Sequence, residues 1–400
     1  MGNAKLILGD CIEKMKELEA NSIDAIITDP PYGLEFMGKE WDGFGDNENF
    51  QRWCKLWATE ALRILKPGGF MFAMGGTRTH HRLTCGIEDA GFMIRDELCW
   101  VYMQGFPKAQ DLGMLIEKKL GGEGKVVGKR IVGAAMSGNP SSEDLGTGGT
   151  CFGSGTNEVL DKQPTLPLAK EWQGWKTPAL KPAFEPIVVA QKPCDGSITE
   201  NVMKNGVGGY NIDECRIPYE NGIPESGWSK TGADGSKGYL GEDTFKIRAM
   251  GAEEIMERVA GGRYPSNLLM QEECFGKLSK YFLIPKASRG EKEENLDDFE
   301  EKQATALNFN KESSFENRRS NNVKSTNSHP TVKPIALMQH LIKLTTKPGY
   351  TVCDPFLGSG TTAVAALNLN RNVVGIELNE EYMKIAKARI AEEVKQTRLV

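Results

Sequence analysis

Two periodicities of apolar positions divide the chain. Ile23 to Thr28 is a near-continuous apolar run, the pattern of a parallel strand covered on both faces. Lys5 to Leu8 reads as a short strand ending at Gly9-Asp10. Cys11 to Leu18 reads as a helix, with Ile12, Met15 and Leu18 spaced for one face. A helix is predicted over Phe50 to Ile64, stopped by the turn Lys66-Pro67-Gly68-Gly69. Phe70 to Met74 predicts a strand, His80 to Ala90 a helix closed by Gly91, and Met93 to Met103 and Phe184 to Ala190 two more strands. Alternation returns late in the chain. Helices are predicted over Ile335 to Leu344, Thr361 to Leu369 and Glu380 to Glu393, the last capped by Asn379, around strands Tyr350 to Cys353 and Asn372 to Ile376. Strand–helix alternation at both ends predicts an α/β protein with a doubly wound sheet.

The middle breaks this pattern. Ala134 to Thr156 is rich in Gly, Ser and Thr without periodicity and reads as a flexible loop. Asp195 to Asn327 mixes Gly-rich turns with short apolar runs such as Asn267 to Met270 and Tyr281 to Ile284. The expected organisation is two halves of one domain, 1–105 and 328–400, with 181–194 returning a strand to it. An insertion at 106–180 and a separate lobe at 195–327 complete the division. For Trp172, Trp175 and Trp228 core positions are favoured over stacking ones.

Composition adds exclusions. The 400 residues are 39% hydrophobic and 26% charged, ordinary for a globular protein with a sizeable core. No apolar run reaches membrane-spanning length, and the start MGNAKLILGD lacks the pattern of a signal peptide. Nine cysteines without a CxxC pair read as reduced thiols of a cytoplasmic protein, and with four histidines they predict no metal site. A net charge of −5 excludes a wholly basic nucleic-acid binder but not local patches. Such patches occur at Lys108 to Arg130 and at Lys311 to Lys333, the second preceded by the acidic block Glu291 to Glu301.

Two motifs carry chemistry. The stretch DPFLGSGTTAVAAL, Asp354 to Leu367, places a Gly-rich turn between a strand and a helix. Gly358 and Gly360 let the backbone pass close to a ligand, and the helix start offers free N–H groups. Glu377 ends the next strand, where an acid accepts hydrogen bonds from both ribose hydroxyls of an adenosine cofactor. This turn alone leaves a dinucleotide and S-adenosylmethionine (AdoMet) both open. The second motif, TDPPYGL, Thr28 to Leu34, closes the apolar strand. In a doubly wound sheet, sites form at the carboxyl ends of neighbouring strands. If these two strands are neighbours, Asp29 and the Pro30 carbonyl face the cofactor and accept both hydrogens of an exocyclic amino group. That localises the nitrogen lone pair toward an electrophile. The prolines fix the acceptors' direction, and Tyr32 offers a stacking face for a base taken out of its duplex.

These residues resemble the AdoMet-dependent DNA amino-methyltransferases that modify adenine N6 or cytosine N4, in the permuted group where Asp-Pro-Pro-Tyr precedes Phe-x-Gly-x-Gly. The resemblance rests on Asp29-Pro30-Pro31-Tyr32, Phe356-Leu357-Gly358-Ser359-Gly360, Glu377 and Gly9-Asp10, with HPTVKP (His329 to Pro334), FEPIVVAQKP and NGVGGYNID. It implies a circularly permuted Rossmann-like sheet with an inserted target-recognition lobe. It implies that Asp29, Pro30, Pro31 and Tyr32 are catalytic. Around AdoMet it implies Asp10, Cys11, Asp29, Lys333, Asp354, Pro355, Phe356, Gly358, Ser359, Gly360, Thr361, Thr362, Glu377 and Leu378, with Lys333 near the cofactor's carboxylate. Arg318, Arg319 and Lys324 become candidates for phosphate contacts, which position without specifying. An Asp before Pro-Pro points to adenine rather than cytosine. Double-stranded DNA is the implied partner. A cognate restriction endonuclease, a homodimer and a prokaryotic or phage cytoplasm are further implications. The rival readings are a nicotinamide-dependent dehydrogenase, an RNA or protein methyltransferase, and a non-catalytic DNA binder. The first of these leaves Asp29 to Tyr32 without a purpose.

Overall fold

The computed structural model describes residues 2–34, 42–102, 109–133, 156–217, 262–270, 296, 302–303, 324–325, 327 and 332–396. In chain order the elements are β1 (Ala4–Leu8), α1 (Cys11–Lys16), β2 (Ile23–Thr28), α2 (Asn47–Ile64), β3 (Leu65–Met74), α3 (His80–Asp89) and β4 (Met93–Val101). Then come α4 (Leu112–Lys119), β5 (Lys125–Gly133), β6 (Thr156–Gln163), α5 (Pro167–Glu171), β7 (Phe184–Gln191), α6 (Ile198–Asn205), β8 (Leu268–Met270), β9 (Lys302–Gln303) and β10 (Lys324–Ser325). The last are α7 (Ile335–Thr345), β11 (Thr351–Asp354), α8 (Thr361–Asn368), β12 (Asn372–Glu377) and α9 (Glu380–Gln396).

Among the described residues, eight strands form the main sheet in the order β1-β12-β11-β2-β3-β7-β4-β8. From β1 through β3 all pairings are parallel; β7 runs antiparallel to both β3 and β4, and β8 is parallel to β4. This is a doubly wound, Rossmann-like sheet. From β11 the chain winds outward through β12, and from β2 it winds the other way through β3. The crevice at the carboxyl ends of β11 and β2 is therefore the switch point where such sheets bind ligands.

Side-chain alternation along the central strands feeds two cores. Ala25, Ile27, Phe70, Phe72 and Val352 face α7 and α8, where they meet Leu337, Leu341 and Val364. Ile26, Met71 and Cys353 face the other way and pack with Met15, Trp57, Ala61 and Leu83 of α1, α2 and α3. Burial on both faces explains why β2 reads as a near-continuous apolar run.

The structure departs from the sequence reading in several places. Lys66 to Gly69 is not a turn outside the strand. It lies within β3, which pairs Leu65 with Ile23 and then, after a shift of register, Phe70 with Ala25. Gly68, at φ +77°, accommodates the irregularity, and a Cβ there would lie 2.1 Å from the Asn201 amide nitrogen. The boundary at 195 does not coincide with a structural break. Asn201 of α6 donates to the carbonyls of Pro67 and Val207, and the Asn211 N–H donates to Leu344. Residues 195–217 thus pack on the main body, and β8 extends its sheet. The insertion holds an antiparallel β5–β6 hairpin with α4 and α5, tied by buried Glu117. That carboxylate accepts from the Thr165 hydroxyl and from the N–H groups of Gly124, Thr165 and Leu166. Trp172 and Trp175 are not core residues. They contact each other edge to face and are 38% and 62% exposed. The loop expected over 134–156 lies outside the described residues except for Thr156, which opens β6. Tyr281 to Ile284 and Trp228 also lie outside the described residues. No described helix is long and apolar enough to cross a membrane.

Candidate functional site

The two motifs meet. β11 and β2 are paired neighbours, with Val352 opposite Ala25 and Cys353 opposite Ile26. Their ends are stitched by the Thr28 hydroxyl, which donates to Asp354 Oδ1 at 2.6 Å. Asp354 Oδ2 accepts from the Thr362 hydroxyl at 2.5 Å, and Oδ1 also accepts from the Phe356 N–H. Asp354 is 2% exposed, and burial pushes its carboxyl up to about 6 against these hydrogen bonds. Its carboxylate joins the two motifs rather than facing an opening.

Beyond Thr28 the chain turns sharply. Gly33 has φ +65°, and a Cβ there would meet the Phe50 ring at 2.8 Å, so only glycine fits. Buried Asp42 holds the turn by accepting from the N–H groups of Gly33 at 2.6 Å and Leu34 at 3.0 Å. The Thr79 hydroxyl donates to the Tyr32 carbonyl. Asp29 and Tyr32 are thereby fixed before any ligand arrives, with Pro30 buried and Asp29, Pro31 and Tyr32 half-buried.

An ionic cluster surrounds Asp29. Lys333 Nζ donates to Asp29 Oδ2 at 2.5 Å and lies 3.5 Å from Glu185 Oε2. The Tyr32 hydroxyl donates to Asp29 Oδ1 at 2.8 Å and lies 3.0 Å from the same Glu185 oxygen. Burial alone would lower the Lys333 pKa, but Asp29 and Glu185 more than reverse this, so the ammonium is held charged. Burial, then the two neighbouring carboxylates, pushes the Tyr32 hydroxyl well above its usual range. Burial raises Glu185 too, against the pull of Lys333. Lys333 is 7% exposed and is not a surface lysine. Sequence reasoning gave Glu185 no role. Its signal was a lone acid entering an otherwise apolar strand.

On the other side of the crevice, Gly358 and Gly360 adopt left-handed φ of +57° and +86°. A Cβ on Gly360 would lie 2.9 Å from Ala386 Cβ, so α8 and α9 pack through this glycine. Glu377 Oε2 accepts from the Gly358 N–H and Oε1 from the Asn379 N–H, both at 2.7 Å. Each oxygen retains a further lone pair. Burial raises the Glu377 carboxyl against these bonds. The Gly9 N–H donates to the Glu377 carbonyl, bringing Asp10 and Cys11 to the same edge. Asp10 caps α1 by accepting from the N–H groups of Ile12 and Glu13. Cys11 is buried, which pushes its thiol up to about 12. Leu378 is 62% exposed beside Glu377. Arg389 donates to the Ser359 carbonyl and hydroxyl and to the Thr361 hydroxyl, and the Phe356 ring contacts Trp53 and Trp57. Pro355 is buried in the same turn. Arg318 and Arg319 lie outside the described residues, and Lys324 opens the two-residue strand β10 opposite Gln303.

A family model described as DNA methylase, of the N6/N4 type, matches residues 23–388. The chain belongs to this N6/N4 DNA methylase family. Members of the family transfer a methyl group from AdoMet to an amino group of a DNA base. The type II methyltransferase M.HindIII of Haemophilus influenzae is 23% identical over 419 residues, covering 95% of this chain and 93% of its own. The type II methyltransferase M.HpaI of Haemophilus parainfluenzae is 22% identical over 393 residues, covering 97% and 74%. The solved PvuII DNA methyltransferase, cytosine-N4-specific, covers 100% of this chain and 91% of its own at 16% identity, with a TM-score of 0.48.

Proposed function

We propose that this methylase transfers its methyl group to the exocyclic N6 of an adenine extruded from double-stranded DNA. The observation carrying this reading is the direct pairing of β2 with β11. It sets Asp29 beside the Gly turn, and Asp29 is anchored by Lys333 and Tyr32 before substrate binds. AdoMet supplies an electrophilic methyl carried on a positive sulfonium. The turn Asp354 to Thr362 would lie against its methionine part, Glu377 would take its ribose hydroxyls, and Asp10, Cys11 and Leu378 would border its adenine. The left-handed backbone of Gly358 and the unused lone pairs of Glu377 support that fit. Lys333 is committed to the two carboxylates, so its work here is to orient Asp29.

The chain's own residues then act on the base. Asp29 and the Pro30 carbonyl accept the amino hydrogens and draw the lone pair out of the ring plane toward the methyl. Two carboxyl groups, Asp29 and Glu185, stand against the single ammonium of Lys333, an excess of acidic groups that favours the positive charge arriving at the nitrogen. Tyr32 offers its ring to the base.

Adenine is preferred to cytosine N4 because Asp, not Ser, precedes Pro30-Pro31. A place beside a cognate restriction endonuclease is part of the same proposal, since two relatives that match nearly all of this chain are type II methyltransferases. Residues 218–261 and 271–327 are proposed to supply target recognition, with Arg318, Arg319 and Lys324 on phosphates. Nucleoside mass spectrometry of DNA treated with protein and AdoMet tests the reading. N6-methyladenine is the expected product, and N4-methylcytosine would overturn the choice of base.

A further inference from the structure

We propose that Glu185 is the terminal proton acceptor of the methyl transfer, reached from Asp29 through the Tyr32 hydroxyl. The proposal rests on the amino-methyl transfer reading above. Methyl transfer forms a C–N bond at the amino nitrogen and breaks the S–CH3 bond, leaving a neutral thioether. The positive charge passes to the nitrogen, which sheds one proton to become a neutral N-methyl amine.

The geometry around Asp29 singles out where that proton goes. Lys333 is already an ammonium and has no lone pair to offer. Tyr32 has one hydroxyl hydrogen and two carboxylate oxygens within reach, Asp29 Oδ1 at 2.8 Å and Glu185 Oε2 at 3.0 Å. It can therefore turn its hydrogen from one to the other. The amino proton moves to Asp29 Oδ1, the Asp29 proton moves to Tyr32 Oη, and the Tyr32 hydrogen moves to Glu185 Oε2. Asp29 ends ionised and Tyr32 neutral, both as they began, and Glu185 ends protonated. Asp29 lies against the base, whereas the Glu185 side chain keeps 21% of its surface exposed and can return the proton to water. Among the described residues, the groups facing Glu185 are Lys333, Asp29, Tyr32 and, just beyond the end of β4, the Tyr102 phenol. Burial raises the Tyr102 phenol to about 12, so it stays neutral and does not compete. Glu185 does not touch the base; it acts through Tyr32.

The test uses the full chain with AdoMet and unmethylated genomic DNA. Single-turnover methyl transfer is followed across pH for wild type, Glu185→Gln, Tyr32→Phe and the double variant, with AdoMet affinity measured separately. Infrared pH-difference spectra of the cofactor-free protein supply a readout independent of turnover. The relay predicts that Glu185→Gln lowers the rate roughly a hundredfold and removes one ionisation from the pH profile, while AdoMet affinity stays unchanged. It predicts that the double variant is no slower than Tyr32→Phe alone, as for two links of one chain. It also predicts a carboxyl signal titrating above the ordinary Glu range that Glu185→Gln abolishes. A Glu185→Gln profile parallel to wild type, or losses that multiply in the double variant, would overturn the relay alone. Wild type that binds AdoMet but methylates no amino group in DNA would overturn the parent reading, and the relay with it.

Discussion

Replacing Lys333 with methionine keeps most of its length and removes its charge. In the folded protein this leaves Asp29 and Glu185 facing one cavity without a counter-ion. Lys333 Nζ lies 2.5 Å from one carboxylate and 3.5 Å from the other, and is 7% exposed. At an effective dielectric of about 20 the gross attractions are about 6.6 and 4.7 kcal/mol. Most of this offsets the desolvation of three charges. Breaking a buried pair from one side costs roughly 3–5 kcal/mol net, and the partial exposure of both carboxylates places this variant near 3. The penalty has a ceiling, because Glu185, whose pKa is already raised, can take a proton instead. The sign follows. A carboxyl with a raised folded pKa contributes stability at low pH that is lost as pH rises. The Lys333→Met deficit is thus greatest above neutrality and shrinks in acid. Urea unfolding of cofactor-free protein is expected to show a deficit of about 3 kcal/mol at about pH 8 and less than about 1 at about pH 5. A deficit under about 0.5 kcal/mol at the higher pH, or one independent of pH, would refute the ionic account of the cluster.

Glu377→Ala is expected to weaken AdoMet binding about 10- to 100-fold, the worth of a charge-assisted hydrogen bond. Calorimetric titration checks this, and unchanged affinity would remove Glu377 from the ribose. Asp354 offers a second pH signature. Its carboxyl is raised from 3.8 to about 6, so the stability of its protonated form is complete below the lower value and lost through the upper. The stability difference between wild type and Asp354→Asn should therefore change by up to about 3 kcal/mol between about pH 4 and 7. Parallel unfolding curves across that range would contradict it.

The sheet was legible where burial was two-sided or a turn had chemical punctuation. β2 announced itself by Ile23, Ala25, Ile26 and Ile27, and the Gly358 to Gly360 turn by its strand–helix flanks. The meeting of the two motifs was legible because each follows a strand, and sites of a doubly wound sheet form at such strand ends. What was not legible depended on pairing across distance. Lys333 reaches Asp29 across a separation of 304 residues, and no local pattern reports that. Glu185 enters only because β7 slots between β3 and β4, antiparallel to both. α6 had a local signal that went unread, the Ser197–Glu200 capping box. Trp172 and Trp175 were misplaced because hydrophobicity alone cannot tell a core tryptophan from an exposed pair. Lys66 to Gly69 misled because Pro and Gly mark turns and irregular strands alike.

Asp29 is proposed to activate the amino group beside a cofactor turn whose own groups, Asp354 to Thr362 and Glu377, do not depend on its carboxylate. Asp29→Ala tests this most directly, with AdoMet affinity and methylated nucleosides measured on the same preparation. The account predicts AdoMet binding close to wild type and no N-methylated base. Near-normal methylation by the variant would contradict it.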